Sequence, residues 1–436
     1  MDYTLFYLTE HVPIVFRADA LGILFACLFA FVFLFVGIYS VDYFAQKKAR
    51  RTFYIWYVLA FAAITGLCFA GNIVTFYFFF EALTLTTFPM VFIEQTKESI
   101  LASLKYLLYS LAGAYCALFG VFFIVKYCDD ISFKAGGIIP ASVQSEHPVI
   151  LLICAFLMIM GFGVKAGLFP MHAWLPTAHP VAPSPASALL SGVIVKGGVL
   201  AIIRVVYMVF GAEYLRGTWV QITVLVLALV TILLGSMVAL GEQRLKKRLA
   251  YSTVSQLSYI VLGIMLLNET GMYGAIFQTV SHALCKSALF MCAGSFLCRG
   301  IVYVNDLNAI GPKMRKTVWA FIIASMGLIG IPPTLGAFAK WNLGLSSLSS
   351  GIAWIEYLGP VVLIASALLT AGYLLPIGTK AFFKEGEVTS KCNEATEVSG
   401  KMTLSVLVLS IVSVVIGILP LGLSQMIESI VREVFG

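Results

Sequence analysis

Apolar runs of about twenty residues alternate with short polar or Gly/Pro-rich clusters along the whole chain. They fall at about 18–40, 53–70, 72–93, 99–127, 148–170, 183–210, 218–240, 249–267, 271–298, 317–348, 353–383 and 402–422. A helix of that length spans a hydrocarbon core of ~30 Å. The pattern therefore predicts an all-α polytopic membrane protein with about twelve transmembrane helices, residues 1–436 forming a single transmembrane domain and 423–436 a short amphipathic tail. Composition agrees: 60% of the 436 residues are hydrophobic and 11% charged, against about 25% charged in soluble domains. A soluble globule is excluded.

The net charge of +7 does not form a nucleic-acid face, because its Lys and Arg lie in the connectors, where they set orientation. Seventeen fall on one alternating set, among them Lys47, Lys48, Arg50, Arg51, Lys246, Lys247, Arg248, Lys384 and Lys391, and five on the other: Arg17, Lys126, Lys134, Arg216 and Arg432. The basic side is the inner one, so both termini are expected outside, in a prokaryotic cytoplasmic membrane. Residues 1–17 carry no basic leader, so no cleavable signal is expected. The nine cysteines sit mostly singly in apolar runs and read as small core residues.

Lys105, Lys165, Lys196, Arg204, Lys286, Lys340 and one acid, Glu81, fall more than a turn inside the apolar runs. A charge at the bilayer centre costs about 2.5–3.5 kcal/mol on insertion scales, so such residues face partners or water. Snorkelling accounts for Arg204 near its helix end and partly for Lys105; it does not suit Lys165, Lys196 or Lys286. Two runs are broken beside a lysine: GFGVKAGLFPMHAWLPTAHPVAPSP (161–185) and GLIGIPPTLGAFAKW (327–341). Paired interruptions in two halves of a chain point to the ion site of an inverted-repeat transporter.

Glu81, close to the hydroxyls of Thr84, Thr86 and Thr87, is the expected partner of Lys165, the alternative being a protonated structural acid. His172 and His179 lie between Lys165 and Lys196; imidazole and amine can hand protons through water where apolar side chains cannot. His179 reads more readily as a helix cap, and the two histidines, seven apart with prolines between, make a poor metal site. His282 and Lys286 are one turn apart on one helical face, and Lys340 ends the series. The chain shows no GxxxxGK[ST], dinucleotide fingerprint, CxxC or HExxH, so no catalytic, metal or cofactor site of its own is expected.

FFFEALTLTTFPMVF, ASLKYLLYS, GVKAGLFPMHAWLPTAHPVAPSPASALLSGVIVKGG, KKRLAYSTVSQLSYIVLGI, SHALCKSALF and GIPPTLGAFAK together resemble the antiporter-like subunit family. Its members are Mrp cation/proton antiporter subunits, the proton-pumping subunits of complex I and their relatives in energy-converting membrane hydrogenases. The resemblance implies two inverted five-helix repeats, about 53–210 and 218–383, each with a broken helix and a half-channel. It implies a proton pathway through Glu81, Lys105, Lys165, His172, Lys196, His282, Lys286 and Lys340. Lysine rather than glutamate at Lys340 resembles the Mrp and hydrogenase side. The implied partners are other integral membrane subunits, further antiporter-like ones included, the bilayer, and protons with sodium as a candidate second ion. Competing readings are a stand-alone secondary cation/proton transporter and a non-conducting scaffold. Against the family pattern, two helices that usually precede the first run are missing, Thr177 stands where many members have Asp, and no long lateral helix follows the last run.

Overall fold

The structure, a computed structural model, describes residues 2–9, 12–383, 392 and 394–436. Lys384 and Lys391 of the charge pattern lie outside the described residues. Helices occupy the positions of all the apolar runs: α1 Ala20–Tyr43, α2 Arg50–Cys68, α3 Ile73–Val91, α4 Lys97–Tyr127, α5 Pro148–Gly163 and α6 Leu175–Val181. After these come α7 Ser184–Phe210, α8 Trp219–Gly241, α9 Leu245–Met265 and α10 Glu269–Leu297. The chain continues through α11 Arg315–Ile329, α12 Leu335–Leu348, α13 Ala353–Phe382, α14 Gly400–Ile418 and the tail α15 Leu421–Phe435.

Many helices start where a polar side chain takes a free N–H of the first turn. Asp19, Asn72, Thr96, Thr218, Asn268 and Ser399 cap α1, α3, α4, α8, α10 and α14 in this way. Among the described residues nine helices are long and apolar enough to cross a membrane: α1 to α4, α7, α8, α10, α13 and α14. The expected count of twelve is not reached by length and apolarity alone. The run at 148–170 keeps only 16 helical residues before it breaks, the one at 249–267 begins on Lys246, Lys247 and Arg248, and 317–348 is split into α11 and α12. The helical body is preceded by an antiparallel hairpin, β1 Asp2–Thr9 and β2 Val12–Arg17, an addition to the all-α expectation.

Two helices form the centre. The apolar window of α7 is wholly buried and that of α10 94% buried, while the other candidate spans bury 50% or less of theirs. Hydrogen bonds between connectors fall into two groups, gathered at two ends. At one end Arg17 N–H bonds Phe69 O, Phe133 N–H bonds Gly71 O and Ile138 N–H bonds Val209 O. At the other, Leu245 N–H bonds Val302 O, Ala309 N–H bonds Lys380 O, and Lys47 pairs with Glu94 at 3.1 Å.

Candidate functional site

The first break follows α5. The chain turns through 164–170, makes a 3₁₀ turn at Met171–Trp174 and resumes as α6. A broken membrane helix leaves carbonyls that must find donors. Here the buried indole of Trp174 donates to Val164 O at 2.8 Å. Lys165, fully buried, reaches across to α3, where its ammonium donates to Phe80 O and Thr84 Oγ1, each at 2.7 Å, and lies 3.6 Å from the Phe80 ring centroid. The expected Glu81–Lys165 ion pair is not formed: among the described residues Lys165 has no carboxylate oxygen within 4.0 Å, and the buried Glu81 Oε1 has no partner. The ammonium is instead taken up by a carbonyl and a hydroxyl of the same helix, Phe80 O and Thr84 Oγ1, and Glu81 remains its electrostatic neighbour without direct contact.

At the centre α7 opens into a π-turn at Leu190–Ile194, which ends two residues before Lys196. The Lys196 ammonium folds back to Ser191 O and is hydrogen-bonded to His282 Nδ1 on α10 at 2.6 Å. Both residues are fully buried, and His282 Nε2 has no partner. One turn along α10, Lys286 donates to Leu249 O (2.9 Å) and Ser252 Oγ (2.6 Å) of α9. His179, expected as a cap, caps nothing: both ring nitrogens are buried without partners, and the ring lies flat on Phe290, centroids 4.5 Å apart. The charged groups that act on the ring are Lys246, Lys286 and Lys196.

The second break lies between α11 and α12. Gly330 ends α11 at φ +88°, the left-handed region that glycine enters without strain, and Pro332–Pro333 prevents the helix from continuing. Lys340 donates to Leu328 O (2.6 Å) and Ile329 O (3.0 Å), the open carbonyls of α11, and its ammonium lies 4.8 Å from the Tyr259 ring centroid. It borders a groove of about 380 Å³ with Trp341, Leu345, Leu348 and Ile364 among its walls.

The remaining expected members sit apart. Lys105 is half-buried, 5.9 Å from the Tyr109 ring centroid, and bonds no member of the series. His172 stacks on Phe169 at 5.7 Å with Nδ1 unpartnered. Arg204 does not snorkel: it is fully buried and makes a two-pronged pair with both carboxylate oxygens of Asp19, at the start of α1. An Asp flanked by apolar sequence at a span boundary was the available signal for that pair.

The bases thus run from the first break, through the two most buried helices, to the second. A family described as NADH:quinone oxidoreductase/Mrp antiporter, TM, matches residues 70–370, which contain every one of them. The chain belongs to this family. Among family relatives, NADH-quinone oxidoreductase subunit N of Desulforudis audaxviator is 34% identical over 360 residues, covering 82% of this chain and 70% of that protein. Hydrogenase-4 component B of Escherichia coli is 29% identical over 94% of this chain and 63% of its own length. The same fold occurs in the Mrp complex from Dietzia sp. DQ12-45-1b, with a TM-score of 0.85 at 22% identity over 100% of this chain and 89% of that one. It occurs also in the membrane-bound sulfane sulfur reductase, an archaeal respiratory membrane complex, with a TM-score of 0.83 at 25% identity over 96% and 67%.

Proposed function

We propose that this chain is a proton-translocating subunit of a multisubunit membrane complex, redox-driven or Mrp-type, and that protons move along Glu81, Lys165, Lys196, His282, Lys286 and Lys340. The observation that carries the reading is the buried hydrogen bond between Lys196 and His282, which joins the half containing the first break to the half containing the second. Each lysine in the series is held by carbonyls, a hydroxyl or an imidazole. Such dipolar seats accept either protonation state, as a carrier requires. A change of charge at Glu81 alters the cost of holding a proton on Lys165, and the change passes on because neighbouring buried sites titrate together. His179 belongs with the series by its unpaired burial; Lys105 does not.

The topology that suits this role has twelve crossings, two inverted repeats at about 53–210 and 218–383, and both termini outside, in a prokaryotic inner membrane. The segregation of connector hydrogen bonds to two ends supports it. Other integral membrane subunits, including further antiporter-like ones, are the partners. Sodium as a second cargo stays part of the antiporter form of the proposal.

The test is proton uptake by the purified complex in liposomes holding a pH-sensitive dye. Lys165→Ala should abolish uptake while the complex still assembles. Lys165→Arg should fail as well, because a guanidinium does not release its proton. Undiminished uptake by the alanine variant would favour the scaffold reading.

A further inference from the structure

Helix α2 is the candidate span least covered by the rest of the chain: 33% of its apolar window is buried, against 39% or more for the others. It packs closely on α3 at one end only. A Cβ at Gly66 would lie 2.3 Å from the Phe79 ring, so the two helices meet there with nothing between them. Toward the basic end they part. A groove of about 460 Å³ opens between them, walled by Thr52 and Trp56 of α2, by Pro89 of α3 and by Phe92 and Ile93 just after it. A second groove, of about 780 Å³, runs along the outer face of α2 over Tyr54, Ile55, Val58 and Leu59. Ile55, Val58 and Leu59 are 50%, 61% and 43% exposed, and their spacing of three and four makes them one continuous strip.

Both grooves end at the same cations. Lys48 borders the two of them, and Arg50 and Arg51 border the larger. All three side chains are exposed, and among the described residues none forms an ion pair, whereas their neighbour Lys47 is taken by Glu94 at 3.1 Å. Arg51 stands one turn before Ile55, directly at the head of the apolar strip. Three free cations over two apolar troughs are complementary to an anionic headgroup that carries two acyl chains. Guanidinium takes phosphate through paired hydrogen bonds, and basic pockets between membrane helices collect anionic headgroups. A partner helix fits this face poorly, because the centre of a protein interface is depleted of charge. A soluble anion would use the cations and neither groove.

We propose that the start of α2 is a binding site for one anionic diacyl phospholipid of the leaflet at that end, with its phosphate on Lys48, Arg50 and Arg51 and one acyl chain in each groove. The chain in the smaller groove fills the wedge between α2 and α3. The lipid therefore braces the helix that carries Glu81 and the seats of Lys165, Phe80 O and Thr84 Oγ1. The site goes beyond the proton-translocating reading and does not depend on it.

The experiment uses the intact complex, purified in detergent, and phosphatidylglycerol with a photoactivatable group on one acyl chain. Cross-linking and peptide mapping should place the lipid on residues 54–59 and 89–93. Unlabelled phosphatidylglycerol should compete at least about tenfold better than phosphatidylcholine, and combining Lys48→Gln, Arg50→Gln and Arg51→Gln should remove that preference. Glycerol phosphate, the headgroup without chains, should not compete. Adducts only elsewhere, equal competition by the two lipids, or competition by glycerol phosphate would overturn the proposal. Should the triple variant fail to assemble, mapping and competition on the parental complex decide by themselves. A photocross-linker placed at Val58 that captures another polypeptide instead of lipid would assign the face to a protein partner, and the lipid site falls. Proton uptake is not the readout, so none of these results bears on the translocation reading.

Discussion

The two broken helices solve one problem in different ways. In the first, Trp174 donates its indole N–H to Val164 O, so the lysine of that break is released to reach Phe80 O and Thr84 Oγ1 on another helix. In the second, Lys340 itself donates to Leu328 O and Ile329 O. A cation at the carbonyl end of a half-helix is favourable on its own account, so Lys340 closes the break and carries charge at once. Lys165 is held by hydrogen bonds that any competing carbonyl or hydroxyl could replace; Lys340 is part of the architecture. The halves differ in acidity too. Glu81 stands in the middle of α3 in the first half, whereas the carboxylates carried by the candidate spans of the second, Glu269 and Glu356, stand in the first turns of α10 and α13.

The largest contrast should come from removing each lysine in turn. Lys340→Met should stop proton uptake and also destabilise the complex by about 1–3 kcal/mol, because two carbonyls of α11 lose their donor. Lys165→Met should stop uptake with thermal stability unchanged or raised, because it removes a buried unpaired charge while Trp174 still holds the break. Uptake paired with thermal melting in detergent checks both. Equal melting losses in the two variants would remove the distinction between a carrier and a closing group.

Trp174→Phe keeps the ring against Tyr106, whose centroid is 4.7 Å away, and deletes only the donor to Val164 O. Expected are a stability loss of about 1–2 kcal/mol and a partial fall in uptake, as Lys165 is drawn back to its own break. Unchanged uptake would mean that the indole does not set the position of Lys165.

Much of this was legible in the sequence. The apolar runs locate the helices, and proline beside lysine locates both breaks. Spacing of four puts His282 and Lys286 on one face. What was not legible depends on rotation about helix axes and on contacts distant in sequence. Glu81 and Phe80 are adjacent in the chain, yet Lys165 bonds at Phe80. Arg204, near a helix end, suggested snorkelling, but its partner Asp19 is 185 residues away. A lone histidine before Pro180 does not announce that it stacks on Phe290. The hairpin of β1 and β2 was missed because its strands carry little alternation of apolar and polar residues.

The smallest expected effects concern the hydroxyl contacts, where the halves are alike: carbonyl plus Thr84 for Lys165, carbonyl plus Ser252 for Lys286. Thr84→Val and Ser252→Ala each delete one hydrogen bond of about 1 kcal/mol and should slow uptake by similar, few-fold factors in the liposome assay. A response in only one half would show that the two seats are not equivalent.

The continuity of the series rests on one contact, the 2.6 Å hydrogen bond between Lys196 and His282. The direct measurement is a double-mutant cycle on the rate of proton uptake by the reconstituted complex, with Lys196→Met, His282→Leu and the two combined. Groups that pass the same proton in sequence should give a double variant no slower than the slower single one. Independent losses that multiply, each leaving the other half at work, would contradict a single axis joining the two broken helices.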